Sequence, residues 1–226
     1  MYVEIVLTAV LWLLSRYVFQ KSVGEKWGSL SYALFGCTSP RFVEYYFYHY
    51  PEKLDYNRCG EAGMNEFERR LITVSVGYFL NSILRGLLIQ EVWYMQVHHV
   101  ISFATVFAPL YYQCCAFELF VCIWVGEFTA PCAFWIFRYE KEPQMYNSKP
   151  MMVVKIIYFV FFVILRFGIG SYTLWRFLNS TETLLIIKLG CLLMMAFNCV
   201  IVKQAIEEVK RFIFYQTIEK AKEKFQ

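Results

Sequence analysis

Apolar runs of about the length needed to cross a bilayer, separated by short charged clusters, set the pattern of this chain. A crossing helix takes about 20 mostly apolar residues, because lipid offers no partner to an unsatisfied backbone group. Residues 71–90, 92–112, 117–137, 151–178 and 183–202 read this way, and so do residues 2–19, marked only by Glu4 and Arg16. Residues 27–50 are less regular. An apolar start is interrupted by Pro40, Arg41 and Glu44 before an aromatic run, which predicts one kinked span or two interfacial pieces. The expected architecture is all-α, with six or seven transmembrane helices.

The polar connections sort into two sets if seven spans alternate. The N-terminus and residues 51–70, 113–116 and 179–182 carry Lys53, Arg58, Arg69 and Arg70, offset by Glu52, Asp55, Glu61, Glu66 and Glu68. The opposite set carries Lys21, Lys26, Arg138, Lys141 and Lys149, then the lysines and Arg211 of the tail. Excess positive charge marks the cytosolic side, so the N-terminus is expected outside and the C-terminus in the cytosol. The N-terminal side inverts if residues 27–50 do not cross. Residues 2–19 follow no basic segment and precede no small-residue cleavage site, as expected of an uncleaved signal anchor.

Composition narrows the classes further. Of 226 residues, 58% are apolar and 20% aromatic, while only 18% are charged. That is thin polar cover for a soluble surface and far too apolar for a disordered chain. A net charge of +4, with its basic residues dispersed between apolar runs, is no footprint for nucleic acid. Three regions result: an anchor and linker (1–26), a membrane domain (27–202) and a cytosolic tail (203–226). In the tail, Ile206, Val209, Ile213 and Ile218 alternate with charges, the pattern of an amphipathic helix expected to continue the last span and lie at the membrane surface. Its end, Lys222-Glu-Lys-Phe-Gln226, has di-lysine spacing like that of an endoplasmic reticulum retrieval signal. A solvated helix end gives the same spacing by chance, and another organelle membrane, the mitochondrial inner membrane included, stays open.

Polar residues inside the spans are the candidates for chemistry, since each is expensive in lipid unless it faces protein or water. His98 and His99 lie early in the fourth predicted span. Adjacent helical residues diverge by about 100°, so only one can face a given cavity. Their spacing is wrong for a metal pair, and no metal is expected. An imidazole there suits proton transfer or a covalent acyl relay, or simply an interhelical hydrogen bond. Glu127 lies near the middle of the next span, ahead of Thr129 and Pro131. From the cytosolic side His98 falls at about 8 Å depth and Glu127 at about 15 Å, close enough for side chains to approach. Arg166, Arg85 and the histidines are its candidate partners, and a structural ion pair with Arg166 is the plainer alternative. Asn81, Asn198 and Lys188 are further polar groups that could line the same hollow. The eight cysteines show no framework spacing and read mostly as buried filler, with a Cys37–Cys59 pairing left open.

Ser75-Val-Gly-Tyr-Phe-Leu80, His98-His-Val-Ile-Ser102 and Glu127-Phe-Thr-Ala-Pro131 together resemble the TLC-domain family, which includes ceramide synthases and translocon-associated membrane proteins. Order and spacing agree over residues 27–210. The resemblance implies a barrel of six transmembrane helices around a tunnel, preceded by one extra span. It implies a histidine pair (His98, His99) transferring an acyl group from acyl-CoA, as co-substrate, to a sphingoid amine. Ser102, Glu127, Thr129, Asn81 and Arg166 are then the cavity and support positions, and membrane lipids the partners. Three departures bear on activity. Residues 80–82 lack the Asp common in relatives, Phe134 and Ile136 replace an Asn and Arg, and residues 106–117 hold no acid. The alternative is a catalytically silent subunit of a larger membrane complex, or a cargo or translocon accessory.

Overall fold

A computed structural model of the chain describes residues 2–23, 48–49, 63–88, 93–139 and 142–223. The predicted second span apart from residues 48–49, Cys37, Cys59 and the last three residues of the tail lie outside them. The described residues are almost wholly helical, with no strand beyond one isolated bridge between Gly63 and Cys114. Nine α-helices are described: α1 (Tyr2–Val23), α2 (Glu66–Leu88), α3 (Trp93–Tyr112), α4 (Ala116–Glu127), α5 (Ala130–Tyr139), α6 (Pro143–Tyr146), α7 (Lys149–Val163), α8 (Gly170–Asn179) and α9 (Leu185–Glu223). A π-helical segment, Ile164–Ile169, joins α7 to α8 without a break.

Four stretches are long and apolar enough to cross a bilayer: Glu66–Leu88, Ala116–Ala133, Lys149–Asn179 and Leu185–Arg211. Their apolar side chains also face outward. Leu87, Val153, Ile164, Leu185 and Leu193 are all more than half exposed on the bundle's outside. The chain is an all-α membrane protein. Helix α3 is less apolar than these four because it carries Gln96, His98 and His99, and α1 adds a shorter apolar helix at Tyr2–Leu14.

Direction follows from contacts. Arg69 bonds Glu4, the Thr8 hydroxyl donates to the Thr73 carbonyl and Trp12 Nε1 to the Val74 carbonyl, so α1 and α2 run parallel. The Met64 amide at the head of α2 bonds the Gln113 carbonyl just past α3, making those two antiparallel. Thr105 meets Gly190, Ser102 meets Met194 and His98 meets Phe197, so α3 and α9 are antiparallel too.

Between lipid-facing helices there is little hydrophobic driving force, and close contact must supply the attraction. Two glycines provide it. A Cβ on Gly77 would collide with Thr8, and one on Gly190 with Thr105, so the α1–α2 and α3–α9 backbones approach at these points. Buried Ile72, Val76, Phe79, Leu110, Phe117 and Phe120 fill the space between α2, α3 and α4. Helix ends are closed locally. Asn65 and Glu68 exchange side-chain bonds to each other's amide at the start of α2, a reciprocal capping box. Ser148 caps α7, with Pro150 in the first turn where no N–H is needed.

One predicted span differs in detail from the helices observed. Residues 117–137, expected as one helix, break between Glu127 and Ala130. Pro131 has no N–H for the Glu127 carbonyl, and its ring crowds that same group. The charged tail continues the last predicted span as expected, the two forming one helix, α9, that runs to Glu223.

Candidate functional site

The break after Glu127 and the π segment face each other, and Arg166 joins them. Within the π segment the guanidinium reaches two neighbouring helices. Its Nη1 donates to Asn198 Oδ1 of α9 at 3.1 Å, and its Nη2 donates to the Gly126 carbonyl at the end of α4. Its plane lies 5.2 Å from the Phe162 ring, one turn back. Widening by one residue per turn is a common device for re-aiming a side chain at a functional site. Glu127 is within Coulombic reach of the same guanidinium. A cation isolated in lipid would be costly; here it is held by a carbonyl, an amide oxygen and a nearby carboxylate.

Beside this cluster is a cavity of about 120 Å³. His98, Ser102, Glu127, Arg166, Asn198 and Thr173 give its polar wall, and Phe79, Val106, Ile123 and Met195 much of the apolar one. His98 stacks on Phe197 at 5.0 Å with the ring planes 18° apart, which fixes its tilt. Two buried nitrogens, His98 Nδ1 and Arg166 Nε, have no protein partner among the described residues. Buried polar atoms are rarely left that way, so water or a polar ligand group belongs there. A water takes about 10–15 Å³ of such space, so several fit.

Not every predicted position reaches this wall. His99 points elsewhere, buried against α2 with its ring 6.4 Å from Phe79. The two imidazole centroids are 5.3 Å apart, adjacent yet diverging as helical neighbours must. Asn81 is buried but turned outward to α1, where its side-chain amide donates to the Ala9 carbonyl at 3.1 Å. Thr129 is buried in the α4–α5 break, with its carbonyl accepting from Ala133. Lys188 is occupied at the opposite end of the bundle, donating to the Ser180 carbonyl at 2.5 Å. His98, Ser102, Glu127 and Arg166 are brought together; His99, Asn81 and Thr129 surround them.

The wall also contains groups that sequence reasoning passed over. Thr105 and Thr173 each bond a carbonyl one turn back within their own helices. Cys122 and Cys191 face each other across α4 and α9 with their sulfurs 3.8 Å apart. Their irregular positions in the chain conceal that meeting. Near the outer end of the same helices, burial raises the Cys114 and Cys115 thiols above the ordinary range, so both stay protonated and unreactive. No cluster of three His, Cys, Asp or Glu able to hold a metal occurs among the described residues. The wall offers an imidazole, a carboxyl group and a guanidinium on a lining that is otherwise mostly apolar, which is equipment for proton transfer and for holding an oxyanion. No family model, curated protein or solved structure matches this chain.

Proposed function

We propose that this protein is a TLC-type membrane barrel that handles lipid, with His98 as the acid–base group of its interior cavity. One observation carries the reading. His98, Glu127 and Arg166 come from three separate spans and meet around one hollow, where His98 Nδ1 and Arg166 Nε are free to take a polar ligand atom. In this reading His98 takes a proton from a lipid amine as that amine attacks the thioester carbonyl of acyl-CoA, and returns it to the departing CoA thiolate; as acyl acceptor instead, it releases the same thiolate and passes the acyl group on to the amine. Arg166 steadies the oxyanion that develops, and Glu127 balances Arg166. Acyl-CoA as donor and a sphingoid amine as acceptor follow from the resemblance in residues 75–131. His99, Ser102, Thr129 and Asn81 are supporting positions.

The parallel sense of α1 and α2 supports a return crossing by the chain between them, and so the seven-span reading, with six helices around the hollow. Placement in the endoplasmic reticulum rests on the di-lysine spacing of Lys222–Gln226.

A second reading has an observation of its own. The cavity, at about 120 Å³, is smaller than the ~300–1,000 Å³ of pockets that take whole small molecules. That favours a catalytically silent barrel serving as a subunit or accessory of a larger membrane assembly. The deciding experiment incubates the purified protein with acyl-CoA and sphingoid base, beside His98→Ala and His99→Ala. Acyl transfer lost in His98→Ala and reduced less in His99→Ala is expected for the enzyme. Equal product from all three, or none from the parent, ends the catalytic reading.

A further inference from the structure

Away from His98 and Arg166, the wall of the inner cavity changes from nitrogen and oxygen to sulfur. Cys122 of α4 and Cys191 of α9 are both on it, 69 residues apart in the chain and 3.8 Å apart between sulfurs. Met194 and Met195 follow Cys191 by three and four residues, the spacing that stacks side chains on one helical face, and both are on the same wall. Met194 Sδ is 4.0 Å from the Ser102 hydroxyl of α3, and the Met195 methyl is 3.7 Å from where a Cβ on Gly170 would stand. Both thioethers therefore extend toward other helices. Thr105 meets Gly190 and His98 meets Phe197, so Cys191 is about 9 Å along α9 from the level of His98. The two ends of the cavity are chemically distinct.

Two sulfurs at 3.8 Å are placed for one ion between them. At the ordinary metal–sulfur length of about 2.3 Å they subtend about 110° at it, between tetrahedral and trigonal. The surroundings select which ion. Thiolate and thioether together are the soft donor set of copper(I). Zinc takes four ligands from Cys, His and carboxylate, and no third group of those kinds joins the two thiols among the described residues. Magnesium and calcium need oxygen donors, whereas Val106, Leu119 and Ile123 supply the lining here. A volume of about 120 Å³ is small for a whole organic ligand and ample for a bare ion.

From this we propose that Cys122 and Cys191 bind one copper(I) ion, with Met194 or Met195 as the third sulfur donor. Each thiol releases its proton to solvent as the ion binds, so the metal takes the place of the thiol hydrogens and needs only that the two sulfurs meet. The ion enters as copper(I) and leaves as copper(I), with no electron transferred. The bound centre carries one negative charge, on the same cavity wall as the Arg166 guanidinium. It ties α4 to α9, two helices far apart in sequence. The site depends neither on acyl transfer nor on lipid in the cavity, and its test reads neither.

The full chain, purified in detergent with its thiols reduced, is titrated without oxygen against the coloured copper(I) complex of bicinchoninate, whose absorbance falls as protein takes the ion. One equivalent per chain is expected to be held against this competitor. Cys122→Ala or Cys191→Ala should weaken it at least about a hundredfold, more than the loss of most outer-shell partners costs a metal site. Met194→Leu with Met195→Leu keeps the apolar volume and should weaken it about tenfold, which preserves the test should a cysteine variant fail to fold. Cys114→Ala with Cys115→Ala, and separately His98→Ala, are expected to hold copper as the parent does. X-ray absorption at the copper edge should show a first shell of sulfur alone, and zinc should not compete. A parent that yields its copper to bicinchoninate overturns the proposal. So do parent-like affinity in the cysteine variants and the methionine pair, loss of the ion in Cys114→Ala with Cys115→Ala or in His98→Ala, nitrogen or oxygen in the first shell, or displacement by zinc.

Discussion

The two sides of the bundle bury similar residues and treat them differently. Where α1 meets α2, polar side chains end on a neighbour: Asn81 on the Ala9 carbonyl, Thr8 on the Thr73 carbonyl, Trp12 on the Val74 carbonyl. Where α3, α4, the π segment and α9 meet, His98 Nδ1 and Arg166 Nε meet no partner among the described residues. The first side is a closed seam, the second a lined hollow. Burial of polar groups in a membrane bundle is therefore no sign of function by itself. What distinguishes the two sides is whether the polar groups are used up.

The largest test of that difference is the charge at the hollow. Arg166→Met removes the cation that ties α4 to α9 and withdraws a countercharge from Glu127. Breaking a buried pair from one side typically costs about 3–5 kcal/mol, so a loss of that order is expected in detergent unfolding. Arg166→Met combined with Glu127→Gln should recover a good part of it, because neither charge is then stranded. A double variant no more stable than the single one would mean that the two residues are not coupled. The hollow would then be an accident of packing.

Much of this arrangement is legible in the chain and some is not, for identifiable reasons. Spans are legible because lipid demands long apolar runs, and residues such as His98, Glu127 and Arg166 stand out against them. The face each one takes is not. Asn81 and Asn198 look alike in sequence, yet α2 is rotated so that one clasps α1, while the other meets Arg166. The π segment leaves no mark in Ile164–Ile169, since a one-residue widening needs no special side chain. The break after Glu127 had a signal in Pro131, whose effect on the Glu127 carbonyl was readable, although the apolar run continues past it.

The glycines sharpen the same contrast at the scale of packing. At Gly77 a methyl group would run into Thr8, whereas at Gly168, within the π segment, nothing lies within 4 Å of it. Gly77→Ala is expected to force α1 and α2 apart and cost about 1–3 kcal/mol, the usual penalty for overfilling a tight contact. Gly168→Ala should be neutral or stabilising by up to about 1 kcal/mol, by restricting the unfolded chain. Thermal unfolding of the two variants side by side decides it. Equal effects would mean that the seam is looser than its contacts suggest.

The smallest expected difference separates the two asparagines, and it speaks most directly to the contrast between seam and hollow. Both side chains are buried to nearly the same degree, at 6% and 5% exposure, so their loss should weigh about equally on burial. Asn81→Ala deletes one hydrogen bond to a helix carbonyl and is expected to cost about 1 kcal/mol of stability. Any acyl transfer should persist, because Asn81 faces α1. Asn198→Ala deletes the acceptor of Arg166 Nη1 and leaves the Gly126 carbonyl to hold the guanidinium. Its stability loss should be similar, but turnover should fall further than stability does, since Arg166 is then free to swing from its place beside His98. Equal turnover in the two variants would erase the distinction, and buried polarity in this bundle would be structural on both sides.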